Sequence, residues 1–305
     1  MSLATTDIFK QVQNDNPNLQ KMSDTQLKKL QKILLSMLLD FDDFCQKNEL
    51  VYLLGGGSCL GAVRHNGFIP WDDDIDLSMP RKDFERFRKI FPKQDGEKYW
   101  FTSPEDTKNC ALAYARIRKK GTIYRTKDDE GNKQAGIYID LSVIENTYNF
   151  APMRSIHGFL SLALGLITSC RNFYSHRKMY LDMVKNNKKA KRTFRIKIFF
   201  GFLVSWRTEK AWSLTWNNIN KMCKNNNSKY VTVPTGRKHF FGEMREREKY
   251  CKTTLCEFEK HLLPVPIKYK TYLESMYGKN YMKIPPSQKR ETHAFLELDF
   301  GEKHA

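Results

Sequence analysis

The stretch from Leu53 to Pro80, LLGGGSCLGAVRHNGFIPWDDDIDLSMP, joins a glycine turn to an acidic cluster. An apolar run enters Gly55, Gly56 and Gly57, and four carboxylates follow between Asp72 and Asp76. Neighbouring carboxylates raise one another's pKa unless a cation neutralises them. The cluster therefore predicts a metal site, with Mg²⁺ as the first candidate and Mn²⁺ as the second, because both prefer hard oxygen ligands.

The glycine turn has the properties of an anion site. Leu50 to Leu54 indicates a short buried strand, and a helix is expected from Ser58 to about Arg64. Unpaired backbone N–H groups and the helix dipole then face the turn, so Gly56, Gly57 and Ser58 are candidates for binding a phosphate. The glycines match neither the Walker pattern nor the dinucleotide fingerprint. A tight turn without a ligand is the alternative, and the acidic cluster downstream argues against it.

The spacing of the carboxylates suggests how they converge. In an extended strand Asp74 and Asp76 point to one face, so both could bind one ion. A calcium loop would need Gly and Glu where this chain has Leu77 and Asp83, which disfavours that alternative. Asp140 lies in a second apolar strand, GIYIDLSV, where a carboxylate is costly unless it is paired or binds a metal. If the two strands are neighbours, three carboxylates meet; an edge-strand Asp140 facing water is the alternative.

Composition limits the class of protein. The chain has 305 residues, 40% of them hydrophobic, and a formal net charge of +18. It can bury a large core, and its charge favours an anionic partner. Seven cysteines at irregular spacings predict reduced thiols. Reduced thiols lead us to expect a cytoplasmic protein. The N-terminus shows no basic region followed by an apolar core, so no signal peptide is evident.

Basic charge is concentrated in the middle of the chain. Between Arg171 and Ala211 there are 12 Lys or Arg and 2 acidic residues, so 12 minus 2 gives +10. The apolar runs 159–167 and 194–206 are shorter than the about 20 residues of a membrane span. Residues 155–211 therefore suggest helices that lie on an anionic membrane surface, at the inner face of the cell membrane, or that grip an anionic polymer. A solvated basic face is an equally open alternative.

Periodicity completes the expected fold. Apolar spacing predicts a helix over 23–48 and a second after Pro80 that Pro92 closes. Residues 98–102, 111–118 and 122–126 are expected to form strands, and 235–243 a loop that could close over a ligand. We predict an α+β fold in two parts, a catalytic core over 1–150 and a helical, basic part over 151–305 that completes the site.

Two sets of residues resemble known families. Gly56-Gly57-Ser58, Asp74-x-Asp76 and Asp140 resemble the nucleotidyltransferase superfamily, and GAVRHNGFIPWDDDIDLSMPR (61–81) resembles the LicD family of choline phosphotransferases more specifically. The segments YLESMYG and YMKIPPSQKRETH resemble that family's tail, so the likeness covers about residues 25–295. The family often has paired histidines where this chain has His293-Ala294.

This resemblance implies a mixed sheet with flanking helices, a magnesium site, and transfer of a phosphorylated alcohol from a CDP-linked donor to a sugar hydroxyl. In that scheme Asp74 and Asp76 hold Mg²⁺, and Asp140 is a third ligand or the base that takes the acceptor's proton. Gly57 and Ser58 bind a phosphate oxygen. Arg64 and Arg81 neutralise charge on the phosphates. A choline group would need aromatic faces; the candidates are Trp71, Tyr114, Tyr138, Phe240 and Phe241.

The leading hypothesis is transfer of phosphocholine from CDP-choline to a teichoic acid or lipopolysaccharide precursor, with release of CMP. Fukutin-related enzymes are similar around the acidic motif and use CDP-ribitol. CDP-ribitol, CDP-glycerol or a nucleoside triphosphate is therefore the alternative donor. A nucleic-acid-binding module is disfavoured, because the acidic cluster would repel nucleic acid unless it held a metal.

Overall fold

The computed structural model describes residues 22–107, 114–126, 129, 132–185, 187–286, 290 and 295–301. Within them a mixed sheet is flanked by helices, which confirms the predicted α+β class. The helices are α1 (Asp24–Lys47), α2 (Gly56–His65), α3 (Arg81–Gln94), α4 (Ala151–Ser175), α5 (Arg177–Met183), α6 (Lys188–Leu203), α7 (Glu209–Asn220), α8 (His239–Gly242), α9 (Arg247–Tyr250) and α10 (Tyr269–Tyr277). The strands are β1 (Leu53–Leu54), β2 (Asp76–Pro80), β3 (Tyr99–Thr102), β4 (Ala115–Lys119), β5 (Ile123–Arg125), β6 (Tyr138–Asn146), β7 (Tyr230–Thr232), β8 (Arg245–Glu246), β9 (Thr253–Phe258), β10 (His261–Pro266) and β11 (Glu297–Asp299).

The main sheet has the strand order β1-β2-β6-β4-β3, and β7 and β8 extend it from the end of β6. Strands β2 and β6 are parallel, while the other pairs in the sheet are antiparallel. The chain makes the parallel pair by crossing over through α3, β3 and β4 before it returns as β6. This pairing sets the positions of the carboxylates predicted from the sequence.

Helices α1 and α3 pack against this sheet. Ser23 begins α1 with a capping box, since its side chain accepts from the Gln26 N–H and the Gln26 side chain accepts from the Ser23 N–H. Phe41 of α1 contacts Phe87 of α3 with ring centroids 5.3 Å apart. These rings belong to one large hydrophobic core that also contains the buried residues of the sheet and of the β9–β10 hairpin.

The helices after residue 150 form a second layer. Helix α4 packs against α6 and α7, and a small separate core of Phe173, Tyr180, Val184, Ala190 and Phe194 fills the space among α4, α5 and α6. Helix α4 is also long and apolar enough, by length and composition, to cross a membrane; 28% of its most apolar window is buried. The predicted helical part is thus present.

Some predicted elements have different bounds. Helix α2 begins at Gly56 rather than Ser58, because the glycines adopt the first helical turn themselves. Pro92 lies inside α3 and does not close it. In the last turn a proline removes only one intrahelical hydrogen bond, so the helix continues to Gln94. Of the predicted strand 111–118, residues 111–113 lie outside the described residues, and β4 starts at Ala115.

Candidate active site

The parallel pairing of β2 and β6 brings two predicted carboxylates together. Asp76 is the register partner of Asp140, and the Asp140 N–H donates to the Ile75 carbonyl at 3.0 Å. Register partners point to the same face of a sheet, and neighbouring strands are about 4.8 Å apart. Asp76 and Asp140 therefore lie side by side at the end of the sheet where β2 begins, which is called the sheet edge below. The alternative that Asp140 lies in an outermost strand is wrong, because β6 lies between β2 and β4.

The glycine turn is built around Asp76. The Gly55 N–H donates to the Asp76 carbonyl at 2.9 Å, and the Asp76 N–H donates to Ser58 Oγ at 2.9 Å. At the start of α2, the Gly57 N–H donates to Asp76 Oδ2 at 3.4 Å. Gly56 has φ of +40°, and a Cβ there would lie 2.3 Å from Asp76 Oδ2. The turn therefore needs a glycine for its backbone and for the approach of the carboxylate.

The carboxylates of Asp72, Asp73 and Asp74 form a second acidic group. One oxygen from each lies within 4.8 Å of the others, and Asp73 accepts from the Tyr124 hydroxyl at 3.1 Å. Burial, with the Asp73 charge next, raises the pKa of Tyr124, so this hydroxyl remains a donor. Oxygen atoms this close suit a hard divalent cation. Asp76 and Asp140 lie outside this group of three, so the predicted set Asp74, Asp76 and Asp140 is not the closest acidic set.

Arg116 is a neighbour of Asp140 that the sequence analysis missed. Its Nε donates to Asp140 Oδ1 at 2.6 Å and its Nη2 to Oδ2 at 3.4 Å, because β4 places Arg116 opposite Asp140. Burial disfavours the charged guanidinium, yet the Asp140 charge raises the pKa of Arg116 above its usual value. The guanidinium also lies 3.9 Å from the centre of the Tyr138 ring. Asp140 is thus held by a buried, permanently charged partner.

The C-terminal part of the chain reaches the same edge. The Gly56 N–H donates to the Tyr272 hydroxyl at 2.8 Å, so α10 fixes the first turn of α2. Burial raises the pKa of Tyr277 well above its usual value, and the charges of Asp76 and Asp72 add to the effect. Tyr277 is therefore a neutral hydroxyl beside the acidic residues. The tyrosines of the segment YLESMYG are the signal that could have identified this role.

Arg64 and Arg81, predicted together as phosphate ligands, lie in different places. Arg64 Nη1 donates to the Tyr281 carbonyl at 2.8 Å, and the charges of Tyr277 and Asp72 reach it. Burial lowers the pKa of Arg64 from its usual value. Arg81 follows the far end of β2, about 16 Å along the strand from Asp76. It is buried in an ion pair with Glu145, so its position fits a structural role.

Residues 235–243, predicted as a loop that could close over a ligand, lie near α10. Lys238 donates to the Ser275 carbonyl, and Arg245 Nη2 donates to Ser275 Oγ at 3.2 Å. The charge of Arg237 acts on Tyr277 and lowers its pKa, against the larger effect of burial. Arg237 is therefore a cation near the acidic residues that sequence patterns did not single out.

The aromatic candidates differ in access. Tyr138 and Phe240 are buried, and Phe241 contacts Phe159 of α4. Tyr138 lies beside the acidic residues, since its ring stacks on Tyr124, which donates to Asp73, and on the Arg116 guanidinium that holds Asp140. Trp71 is half-buried with Arg290 4.2 Å from its ring centre, and the Tyr114 hydroxyl accepts from Arg116 at 3.1 Å. His293-Ala294 lies outside the described residues.

The comparisons with known proteins cover the residues of this site. Residues 49–158, which carry the glycine turn, the acidic residues, Arg116 and Asp140, match the family model "LicD/FKTN/FKRP, nucleotidyltransferase domain". Within these residues the chain is similar to the nucleotidyltransferase domain of the LicD family. A lipopolysaccharide cholinephosphotransferase LicD from Haemophilus influenzae is 25% identical over 287 residues, which cover 89% of this chain and 97% of that protein. An uncharacterized protein from Rickettsia typhi is 38% identical over 60 residues, 20% of this chain and 19% of that protein.

The extents of these matches are informative. The family model ends near the start of α4, whereas the similarity to the Haemophilus protein covers 89% of this chain and so extends through the helical part. The glycine turn depends on the family domain and on the C-terminal part of the chain. The Gly56 N–H donates to the Tyr272 hydroxyl, although the two residues are far apart in sequence.

Proposed function

We propose that this protein transfers phosphocholine from CDP-choline to a hydroxyl of a cell-surface glycan precursor and releases CMP. The cholinephosphotransferase relative supports the reaction class, since it is similar along almost the whole of both chains. The observation that carries the proposal is the register of Asp76 against Asp140 beside the N-terminus of α2. That arrangement would bring a phosphate site, a cation site and a base together at the sheet edge.

The donor diphosphate would bind at the glycine turn. The first N–H groups of a helix and its dipole attract anions, and here the Gly57 N–H is at 3.4 Å from the Asp76 carboxylate. A distance that long is a weak hydrogen bond, so a phosphate oxygen can replace the carboxylate. Arg64 and Arg237 would then neutralise the charge that develops on the departing CMP.

A divalent cation fits the acidic residues of this edge. Asp74 and Asp76 are the ligands that we propose, with Asp72 as a further oxygen donor of the close acidic group. When bound, Mg²⁺ would supply charge neutralisation for the diphosphate oxygens. Mn²⁺ has the same ligand preference and is the second candidate.

Asp140 would take the proton of the acceptor. The acceptor oxygen attacks the phosphorus that bears choline, the bond from that phosphorus to the CMP oxygen breaks, and the hydroxyl proton moves to an Asp140 oxygen. Arg116 holds both oxygens of Asp140 and so fixes the direction from which the base acts. Tyr277, as a neutral hydroxyl, would donate a hydrogen bond to the donor or the acceptor.

The first test is release of CMP from CDP-choline by the purified protein, measured by chromatography with and without Mg²⁺. The Asp76→Asn variant should lose about 10²- to 10⁴-fold in rate, the range for loss of a positioned catalytic group. Asp43→Asn is the matched control, since Asp43 is an exposed carboxylate of α1 that pairs with Lys47. Equal rates in the two variants would contradict the assignment of Asp76.

A donor panel separates choline from the other alcohols. Thermal shifts with CDP-choline, CDP-ribitol, CDP-glycerol and a nucleoside triphosphate rank the donors, because at one ligand concentration the ligand that binds more tightly stabilises the folded state more. We expect the largest shift with CDP-choline, and a much smaller one in Asp76→Asn. A larger shift with CDP-ribitol would keep the reaction type and overturn the choline assignment.

A further inference from the structure

Helix α4 exposes an uninterrupted apolar stripe. Its outward residues recur at helical spacing and are between 42% and 66% exposed; they are Met153, Ile156, Phe159, Leu160 and Leu166. Its other face packs against the protein. There His157 Nε2 donates to the Ile219 carbonyl, and Ser161 donates to Asn220. With one face bonded to α7, this helix offers the other face alone to a partner.

The outward face of α6 changes character along its length. In the first half Lys188, Arg192 and Arg195 are exposed cations. In the second half and just beyond it the exposed residues are large and apolar, and Trp206 is 73% exposed; they are Phe199, Phe200, Phe202, Leu203 and Trp206. A groove of about 570 Å³ joins the two halves, lined by cations on one side and by Phe199 and Phe200 on the other.

Helices α4 and α6 are in close contact. Ser169 lies near Lys197, while Cys170, one residue later in the chain, contacts Gly201, and Phe173 packs on Phe194. A Cβ at Gly201 would lie 2.0 Å from the Cys170 carbonyl, so the two backbones are in close contact. The apolar half of α6 therefore packs beside the C-terminal part of α4, where the Phe202 ring lies 5.8 Å from the Tyr174 ring between centres.

Large exposed apolar areas rimmed by charge mark sites of association. Aromatic residues, Trp above all, favour the boundary between lipid headgroups and acyl chains, and Lys and Arg beside them favour anionic headgroups. A second copy of this chain would meet this face with its own cations, and the segment 171–211 carries +10. Like charges oppose that pairing, whereas an anionic bilayer satisfies both the cations and the apolar side chains.

We propose that the outward faces of α4 and α6 dock on the surface of an anionic phospholipid bilayer. The apolar stripe of α4 and the apolar half of α6 enter the boundary of the acyl chains, and Lys188, Arg192 and Arg195 contact lipid phosphates. The docking does not depend on the transfer reaction, so it can be measured with no donor present. It would hold the sheet edge near an acceptor that is itself attached to lipid.

The test is sedimentation of the full chain with vesicles. Vesicles of phosphatidylcholine with 30% phosphatidylglycerol should bind it, and vesicles of phosphatidylcholine alone should bind it far less. Replacing Lys188, Arg192 and Arg195 by Gln should weaken binding about 100-fold, since each basic residue near an anionic surface contributes about a factor of five or more. Added salt should reproduce much of this loss.

The apolar contribution has its own variant and control. Phe199→Ser, Phe202→Ser and Trp206→Ser together should weaken binding at least about 10-fold, because these side chains no longer enter the bilayer. The control replaces three equally exposed apolar residues elsewhere, Leu255, Leu262 and Ile284, by Ser and should bind as the unchanged protein does. Equal loss in both triple variants, or no binding of the unchanged protein to anionic vesicles, would overturn the proposal. So would a dimer in light scattering that the α6 substitutions abolish while vesicle binding stays absent, since the face would then join two copies.

Discussion

Helices α3 and α6 both carry phenylalanines on one side, yet they use them in opposite ways. Phe84, Phe87 and Phe91 of α3 are buried against the sheet and α1. Phe199 and Phe202 of α6 are more than half exposed, because α6 packs on α4 and α5 mainly through other side chains; the Phe202 ring lies 5.8 Å from the Tyr174 ring of α4 between centres. The same residue type therefore builds a core in one part and leaves a surface in the other.

This contrast indicates that the sheet part and the helical part have different functions. The sheet part has the large core beside Asp76 and Asp140, while the helical part has its own small core and presents apolar and basic residues to solvent. If the division is real, substitutions at the sheet edge should change turnover and leave vesicle binding unchanged, and substitutions on α6 should do the reverse. The predictions below test that separation.

The largest effect is expected from Gly56→Ala. A Cβ at this position would lie 2.3 Å from Asp76 Oδ2 and force the carboxylate to move. Misplacement of a reacting group by about 1 Å costs about 10²-fold in rate. CMP release should fall by at least that factor while vesicle binding is unchanged.

Gly121→Ala is the matched control for this change. Gly121 also has a positive φ, +74°, but a Cβ there would have no atom within 4 Å. Alanine at such a position costs about 1–2 kcal/mol of backbone strain, and turnover should remain. If Gly56→Ala kept full activity, the close approach of Asp76 to the turn would have no role in the reaction.

The next effect is expected from Arg116→Met. Loss of this guanidinium leaves Asp140 without its partner, and loss of an outer residue that orients a reacting group typically costs about 10- to 100-fold. Removing one member of a buried ion pair also destabilises a protein by about 3–5 kcal/mol. CMP release and denaturant unfolding measure the two effects, and Lys249→Met, which breaks an exposed pair with Glu246, is the control that should leave both nearly unchanged.

Arg116→Lys distinguishes positioning from simple stability. Lysine keeps the charge but cannot hold both oxygens of Asp140 at once, so stability should be largely restored and turnover should stay low. Full recovery of turnover in this variant would show that only the charge matters.

The sequence allowed much of this site to be predicted because its signals are local. Gly55 to Asp76 lies in one short stretch, and Asp140 stands out as a carboxylate in an apolar strand. Arg116 could not be recognised, since it is one of 52 Lys and Arg, and only the antiparallel register of β4 places it against Asp140. Arg81 illustrates the opposite error: it is near the acidic motif in sequence, but β2 carries it to the other end of the sheet.

The exposed face of α6 was also beyond sequence reasoning. The basic, aromatic composition of 155–211 left a membrane surface and a solvated face equally open, because composition does not say which side of a helix has a neighbour. Phe194 and Phe199 differ by only five positions, yet the first is buried and the second is exposed. Packing against α4 makes that choice, and packing is a tertiary property.

The smallest effect is expected at the contact between the helical part and the sheet part. His157 is buried in α4; its Nδ1 lies 3.2 Å from Thr147 Oγ1 after β6, and its Nε2 lies 2.9 Å from the Ile219 carbonyl in α7. Burial lowers the pKa of His157, although the Ile219 carbonyl and the Glu145 charge act in the opposite direction. The unfolded chain therefore binds this proton more readily, and stability is present above about pH 6.5 and decreases as the pH falls below it.

Urea unfolding at pH 7.5 and pH 5.5, followed by tryptophan fluorescence, measures this effect. A single histidine can contribute at most about 1.4 kcal/mol per pH unit below 6.5, so the expected loss at pH 5.5 is no larger than that. His65 also has a pKa lowered by burial and adds to the dependence of the whole protein, so the comparison is with His157→Gln, which retains His65. The variant should be less stable at pH 7.5 and less sensitive to pH. If the pH dependence of the variant equals that of the unchanged protein, the neutral form of His157 does not stabilise the contact between the helical part and the sheet. Apolar packing alone then joins the two parts.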